Sequence, residues 1–199
     1  MHYFDPLENL TMAALLGNGE VHSDLHGNKL HFSYQASKEH YLSQFIDTHN
    51  LSSVVQLNRK KKECLIHEVD KNLDIFSYST GNIQKVLNSK YMSKQSLLLL
   101  IIVFGKRQLE SIAIPSTNSS DFIRSLGYLI QQNLGVLTIP SSNSLKILDI
   151  PKLLINVLQL DLSLSECVEL AGYLNEQEKR QIIHGAKNLV RKTNVYEMV

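Results

Sequence analysis

Apolar positions in this chain fall into stretches whose period changes from helical to strand-like and back. Residues 7–17 form a short apolar helix containing Ala13 and Ala14, and it ends at Gly17, a common helix stop. Two alternating runs follow, 20–26 and 29–34, around Gly27-Asn28, and this predicts a hairpin with its turn at that dipeptide. Pairing His26 with Lys29 would place Asp24 opposite His31 and His22 opposite Ser33. His22, Asp24, His26, Lys29 and His31 then share a wet face, while Val21, Leu25, Leu30, Phe32 and Tyr34 line a dry one. Residues 38–48 carry Tyr41, Leu42, Phe45 and Ile46 at helical spacing. Residues 54–57 and 73–79 read as a strand pair, with strand-like 64–69 and the run Arg59-Lys60-Lys61-Lys62 between them, and 82–88 reads as a short helix.

The order then returns. A helix is expected at 96–104, a strand at 109–114, and a helix at 121–133 with Ser119 or Ser120 as its N-cap. Strands follow at 136–139 and 145–150, and Pro151 opens another helix. Only one clear strand fits between Lys106 and Pro115, so the second copy is expected to be the reduced one. Residues 162–192 read as two further helices with a basic end (Lys187, Arg191, Lys192). The fragments beginning at Ile114 and Ile139, IPSTNS and IPSSNS, are alike, as loops rich in Pro, Ser and Asn often are.

This duplicated αββαββα order resembles the LAGLIDADG homing endonucleases, whose single-chain members carry two such halves. Three stretches support the resemblance. They are Leu10 to Gly19 running into the hairpin, the strand and helix LHFSYQASKEHYLSQF at 30–45, and residues 96–158 with LESIAIP, FIRSLGYLIQQNLGV and LKILDIP. Together they span about residues 7–158. The implied fold is α+β, with two repeats in pseudo-two-fold arrangement and antiparallel sheets: a first repeat at 1–92, a shortened second at 93–160, and a helical extension at 161–199.

In that family each motif helix ends in an acid, and the two acids hold Mg²⁺ for phosphodiester hydrolysis. Magnesium takes hard oxygen ligands, and the metals stabilise the attacking and leaving oxygens. Here Asn18 and Phe104 occupy the two positions. A carboxamide oxygen is a weak neutral ligand and a phenyl ring is none, so the resemblance implies a scaffold whose cleavage site has been dismantled, with no metal or other cofactor. The opposing reading is an active nuclease that cleaves double-stranded DNA with Mg²⁺ through unorthodox ligands such as Glu20. The family's motif helices also pack closely through small residues. Ala13, Ala14 and Gly17 fit this, but the partner helix is all Leu and Ile, so a wider or asymmetric contact is expected.

Charge and composition narrow the partners. The 199 residues are 43% hydrophobic and 20% charged with a net charge of +1, so attraction to nucleic acid has to come from local patches. Candidate contacts are His22, Asp24, His26, Lys29 and His31 on the hairpin, Arg59, Lys60, Lys61 and Lys62 in the basic run, and Lys106 and Arg107. The histidine and aspartate cluster has a zinc reading, but alternation along a hairpin does not by itself make ligands converge, which favours a polar surface. Phe32, Tyr34, Tyr41 and Phe45 have the spacing of core residues rather than of stacking platforms. The two cysteines sit in no metal-ligand spacing and suggest a reducing compartment. The longest apolar run, 97–104, falls well short of the roughly 20 residues of a membrane helix. No signal or transit peptide is recognisable at the N-terminus.

The resulting expectation is a protein that binds structured RNA, ribosomal or intron, in a mitochondrion or other organelle, as a ribonucleoprotein component such as a ribosomal protein or as a maturase. DNA remains a possible ligand. Protein partners would meet the C-terminal helices, and no membrane is involved.

Overall fold

In the computed structural model, residues 5–24, 27–69, 92–158, 160 and 162–183 are described. Two helices form the middle of the molecule, α1 (Pro6–Leu16) and α3 (Lys94–Phe104). Each begins at a capping box, Asp5 with Glu8 for α1 and Ser93 with Ser96 for α3, which satisfies amide groups that the first helical turn leaves unpaired. Every residue from Ser96 to Phe104 is buried. A helix that is apolar on all sides has to be covered on all sides, and here α1 and the two sheets cover it. Near their starts the two helices are also tied by the Ser93 hydroxyl, which donates to the Asn9 side chain.

Two antiparallel sheets flank this pair. The first contains β1 (Glu20–Asp24), β2 (Gly27–Ser33), β3 (Val55–Asn58) and β4 (Glu63–Val69), in spatial order β1-β2-β4-β3. The second contains β5 (Lys106–Arg107), β6 (Ser111–Pro115), β7 (Thr138–Pro140) and β8 (Ser144–Leu148), in spatial order β5-β6-β8-β7. The two orders are the same, so the halves repeat one topology, and Leu30, Phe32, Cys64 and Ile66 of one sheet join Ile112, Ile114, Leu145 and Ile147 of the other in one core. The remaining helices are α2 (Glu39–Thr48), preceded by a 3₁₀ turn at Ala36–Lys38, then α4 (Ser120–Leu134), α5 (Ile150–Val157) and α6 (Leu164–Ala171), with a helical stretch at 176–183. Ser119 caps α4, and Gly135, at φ 65, ends it in the left-handed conformation that glycine adopts without cost.

Several expectations need correction. The hairpin pairs Glu20 with His31, His22 with Lys29, and Asp24 with Gly27, so the strands meet ahead of Gly27-Asn28 rather than around it. The faces survive because the new register differs by an even number of residues, and alternation reports the face without distinguishing such slides. The strand partner of 55–58 is 63–69, joined through the basic turn. Residues 73–79 and 82–88 lie outside the described residues. Two strands, not one, fit between Lys106 and Pro115, although the first has only two residues. The similar loops after Ile114 and Ile139 meet at one end of the second sheet, where the Ser116 amide donates to the Asn143 carbonyl at 2.9 Å. Among the described residues no helix is long and apolar enough to cross a membrane.

Burial has a chemical consequence at Cys64, which is 0% exposed and whose thiol is pushed up to about 12 by desolvation. The thiolate is the reactive form, so Cys64 is silent at pH 8. Titration of the native protein with a disulfide reagent should modify only the half-buried Cys167, and denaturation should release the second thiol. Rapid modification of Cys64 in the native state would contradict this packing.

Candidate nucleic-acid interface

The ends of α1 and α3 lie side by side, and what occupies them decides the chemistry available there. After Leu16 the Gly17 amide donates to Ala13 O and Ala14 O, at 3.0 and 3.2 Å, and the Gly19 amide donates to Ala14 O at 2.8 Å. Asn18 projects between these glycines, and its Nδ2 donates to the Ser33 carbonyl at 3.3 Å. Across from it Phe104 is 6% exposed, with its ring 5.6 Å from that of Phe32. A Cβ on Gly17 would lie 2.8 Å from two carbons of the Phe104 ring. The expected departure in packing therefore takes the asymmetric form, with α1 contributing bare backbone and α3 a bulky ring.

Donors from elsewhere in the chain finish the end of α3. The buried Tyr173 hydroxyl lies 2.8, 3.2 and 3.0 Å from the carbonyls of Ile101, Ile102 and Gly105, and Gln35 Nε2 donates to Gly105 O at 3.1 Å. Burial raises the Tyr173 phenol far above its ordinary value, which keeps it a donor. Beside these ends runs a cleft of about 220 Å³ whose polar lining includes Asn18, Ser33, Gln35 and Lys106. It contains a lysine and carboxamides but no carboxylate. The fold family implies Mg²⁺ at this point, and this donor set does not fit it, because a hard divalent cation needs anionic oxygens. Glu20 does not repair the deficit: it lies on the sheet face, 77% exposed and 3.8 Å from His22 Nε2. Among the described residues no three His, Cys, Asp or Glu side chains converge as metal ligands.

The outward face of the first sheet is polar. Glu20, His22, Lys29 and His31 lie on it together, as paired positions of β1 and β2. Asp24 belongs to the same strand, and His26 lies outside the described residues. The face continues onto β4 and β3. His31 pairs with Leu65 and Leu65 with Gln56, while Ser33 pairs with Glu63 and Glu63 with Asn58. These rows floor an open concavity of about 620 Å³ beside Arg59 and Lys60.

The basic turn divides into two parts. Glu39 holds Lys62 in a close ion pair and also meets Arg59 at 3.8 Å, and the Lys62 hydrogen bond keeps the Glu39 carboxyl below its usual range. Lys62 itself sits at φ 58, where the chain reverses into β4. Lys60 and Lys61 are exposed at the tip, and among the described residues no ion pair is found for either.

In the second half, Lys106 is exposed at the cleft, but Arg107 turns the other way. Its guanidinium donates to Glu178 at 3.1 Å and to Leu109 O at 2.7 Å, within the protein. The matching row of the second sheet is Lys106, Ala113, Lys146 and Ile139, with far fewer hydrogen-bonding groups than the first. Phe32, Tyr34, Tyr41 and Phe45 are all core residues, as their spacing predicts. Gln56 and Asn58 escaped notice because they alternate with Val55 and Leu57 in a strand too short to advertise its face. Tyr173 lies beyond the stretch that carries the resemblance, and nothing local marks it.

No family model matches the sequence, and no curated protein matches it. Similarity is found among solved structures. The homing endonuclease I-WcaI bound to its DNA recognition sequence superposes with a TM-score of 0.50 at 10% identity, over 90% of this chain and 88% of that one. I-DmoI in complex with DNA and Ca gives 0.44 at 11% identity, over 81% of this chain and 93% of that one. The N-terminal LAGLIDADG domain of DUF199/WhiA gives 0.44 at 10%, over 82% and 88%. This is a two-half α+β protein with paired four-stranded antiparallel sheets. Its fold is that of the LAGLIDADG homing endonucleases.

The asymmetric contact makes a measurable demand. Gly17→Ala should destabilise the protein by about 1–3 kcal/mol through overpacking, and Phe104→Ala by about 3–5 kcal/mol through a cavity. In the double variant the alanine at position 17 should cost much less, a coupling of more than about 0.5 kcal/mol in urea denaturation. Strict additivity would mean that the ring and the glycine do not touch. Tyr173→Phe should cost about 1–3 kcal/mol, since it strips a donor from buried carbonyls. No change in the urea midpoint would remove the phenol from the helix end.

Proposed function

We propose that this protein is a catalytically inactive LAGLIDADG scaffold that binds structured RNA, as a component of an organellar ribonucleoprotein such as a mitochondrial ribosome or as an intron maturase. The observation that carries the loss of catalysis is Phe104, whose ring fills the end of α3 against Gly17 where the fold family places a metal-binding acid. Retained binding is supported by the polar outward face of the first sheet beside Lys60 and Lys61, both exposed. Structures of this fold include endonucleases in complex with DNA, so a nucleic-acid surface in the same place is the economical reading.

RNA is favoured over duplex DNA on two grounds. A net charge of +1 gives a weak long-range field for scanning DNA, whereas a protein seated among partners needs only local contacts. The concave first face also suits splayed nucleotides better than a smooth duplex. An organellar location follows from the family resemblance. Protein partners are supported by Leu164 and Val168, one helical turn apart on the outer side of α6 and 82% and 61% exposed. The active-nuclease reading requires Glu20 to serve a centre that its side chain does not line.

Sedimentation of the native protein, with sequencing of RNA crosslinked to it by ultraviolet light, tests the proposal. Ribosomal RNA in a subunit fraction identifies a ribosomal component, intron RNA in a light fraction identifies a maturase, and no RNA sinks the reading. With the purified protein, Lys60→Glu with Lys61→Glu should weaken RNA binding and lower the slope of log K against log salt by about two. Plasmid DNA with Mg²⁺ should stay uncut. Nicking abolished by Glu20→Ala would establish the enzyme instead.

A further inference from the structure

The concavity on the first sheet has a shape and a set of side chains that specify more than a charged surface. β2 and β3 flank β4, so His31 and Gln56 stand roughly 10 Å apart, two strand spacings, with the apolar Leu65 between them as a floor. In the next row Glu63 lies beside Asn58, and His31 Nε2 approaches the Glu63 carboxylate at 3.4 Å. Arg59 and Lys60 stand at the rim. At about 620 Å³ the space is in the roughly 300–1,000 Å³ range of small-molecule sites.

These groups match the parts of one nucleotide. A planar base has two apolar faces and a polar edge. Leu65 and the imidazole of His31 offer surfaces for the face. The Gln56 carboxamide offers both donors and an acceptor for the edge, and Asn58 offers its Nδ2 donors, its Oδ1 accepting from the Lys61 amide at 3.2 Å. Glu63 offers only acceptors when ionised, so it selects an edge that donates. Phosphate falls to the cations at the rim. A fully paired duplex cannot use the site, because its bases are held inside the stack.

We infer that the concavity walled by His31, Gln56, Asn58 and Glu63 over Leu65 is a seat for one unpaired nucleotide of the bound RNA, selective for a base carrying an exocyclic amino group. The inference rests on the RNA-binding reading and adds a site and a preference to it. In the seated state the amino group donates to the Glu63 carboxylate, the remaining edge meets Gln56 and Asn58, and the 5′ phosphate lies against Lys60.

Two measurements on the full chain test it. In the first, CMP and UMP are titrated while the His31 ring resonance is followed. CMP should shift it and bind about ten times more tightly than UMP, the discrimination expected of one good hydrogen-bonded edge. Equal responses, or none, overturn the site. In the second, binding is compared for a hairpin RNA with cytosines in its loop and for the same sequence fully paired. Gln56→Ala should cost about tenfold on the hairpin and leave the duplex unchanged. Equal loss on both would make Gln56 a general contact and overturn the seat.

The failures separate from those of the broader reading. Hairpin binding that Lys60→Glu weakens, with no CMP response, leaves RNA binding standing and removes the seat. A CMP response without any RNA binding removes the RNA reading, and with it the assignment of the nucleotide to an RNA.

Discussion

The contact on which the structure depends is the close approach of α1 and α3 at their C-terminal ends, where the backbone of Gly17 meets the face of Phe104. Both helices are apolar nearly all round, so neither can exist at a surface, and each half of the protein is folded around one of them. The two sheets take their positions from this pair. A carboxylate at Phe104 would face the Phe32 ring and the glycine backbone on one side and the small cleft with Lys106 on the other, so its desolvation would be only partly offset. The ring at this position packs against apolar neighbours and bare backbone, which the end of a buried helix tolerates without a cation. The remaining carbonyls at the end of α3 are paired by Tyr173 and Gln35. Donors from distant parts of the chain thus substitute for water at this helix end.

That substitution explains the role of the C-terminal segment. Tyr173 reaches the end of α3 because α6 packs on α2 and α3, and this docking is polar as well as apolar. Lys38 pairs with Glu169 at 2.6 Å, both groups largely buried, and its ammonium stands 4.7 Å from the centre of the Tyr173 ring. Arg107 reaches Glu178 from the second sheet. Partly buried pairs such as these lose heavily when one member is removed, so the segment is held in register by its charges even though they add little net stability. Among the residues read from sequence as a docking extension, 162–183 pack as part of the fold, with Leu164 and Val168 on their outer side.

How much of this the sequence disclosed follows from what each signal physically encodes. The apolar run at 97–104 announces a core helix because burial on all sides leaves no other composition. The wet and dry faces of the first hairpin were legible because alternation encodes the side of a sheet, whereas its register was not, because a slide by an even number of residues, here four, preserves every face. Strand β5 was missed because two residues cannot show a period, and its pairing to β6 is a tertiary event. At the candidate site Lys60 and Lys61 were visible as charge. That Arg59 and Lys62 are occupied by Glu39, and Arg107 by Glu178, depends on contacts between residues distant in sequence. Charge can be counted along a chain, but which charges are already neutralised depends on the fold.

The two halves have kept their topology and diverged in their outward surfaces, and this divergence bears on what the scaffold still does. A symmetric duplex would be read by both sheets, and selection for that would keep hydrogen-bonding groups on each. The second sheet instead has Ala113 between Lys106 and Lys146 and Ile139 beyond Lys146, and Leu137 two residues from Ile139 is 56% exposed. Such a row can approach a phosphate backbone through its lysines or another protein through its apolar members, but it has little with which to distinguish one base from another. The first sheet retains Gln56, Asn58, His31 and Glu63, each able to do so. On the RNA reading proposed above, recognition confined to one half suits an irregular, folded nucleic acid, in which neighbouring surfaces need not repeat.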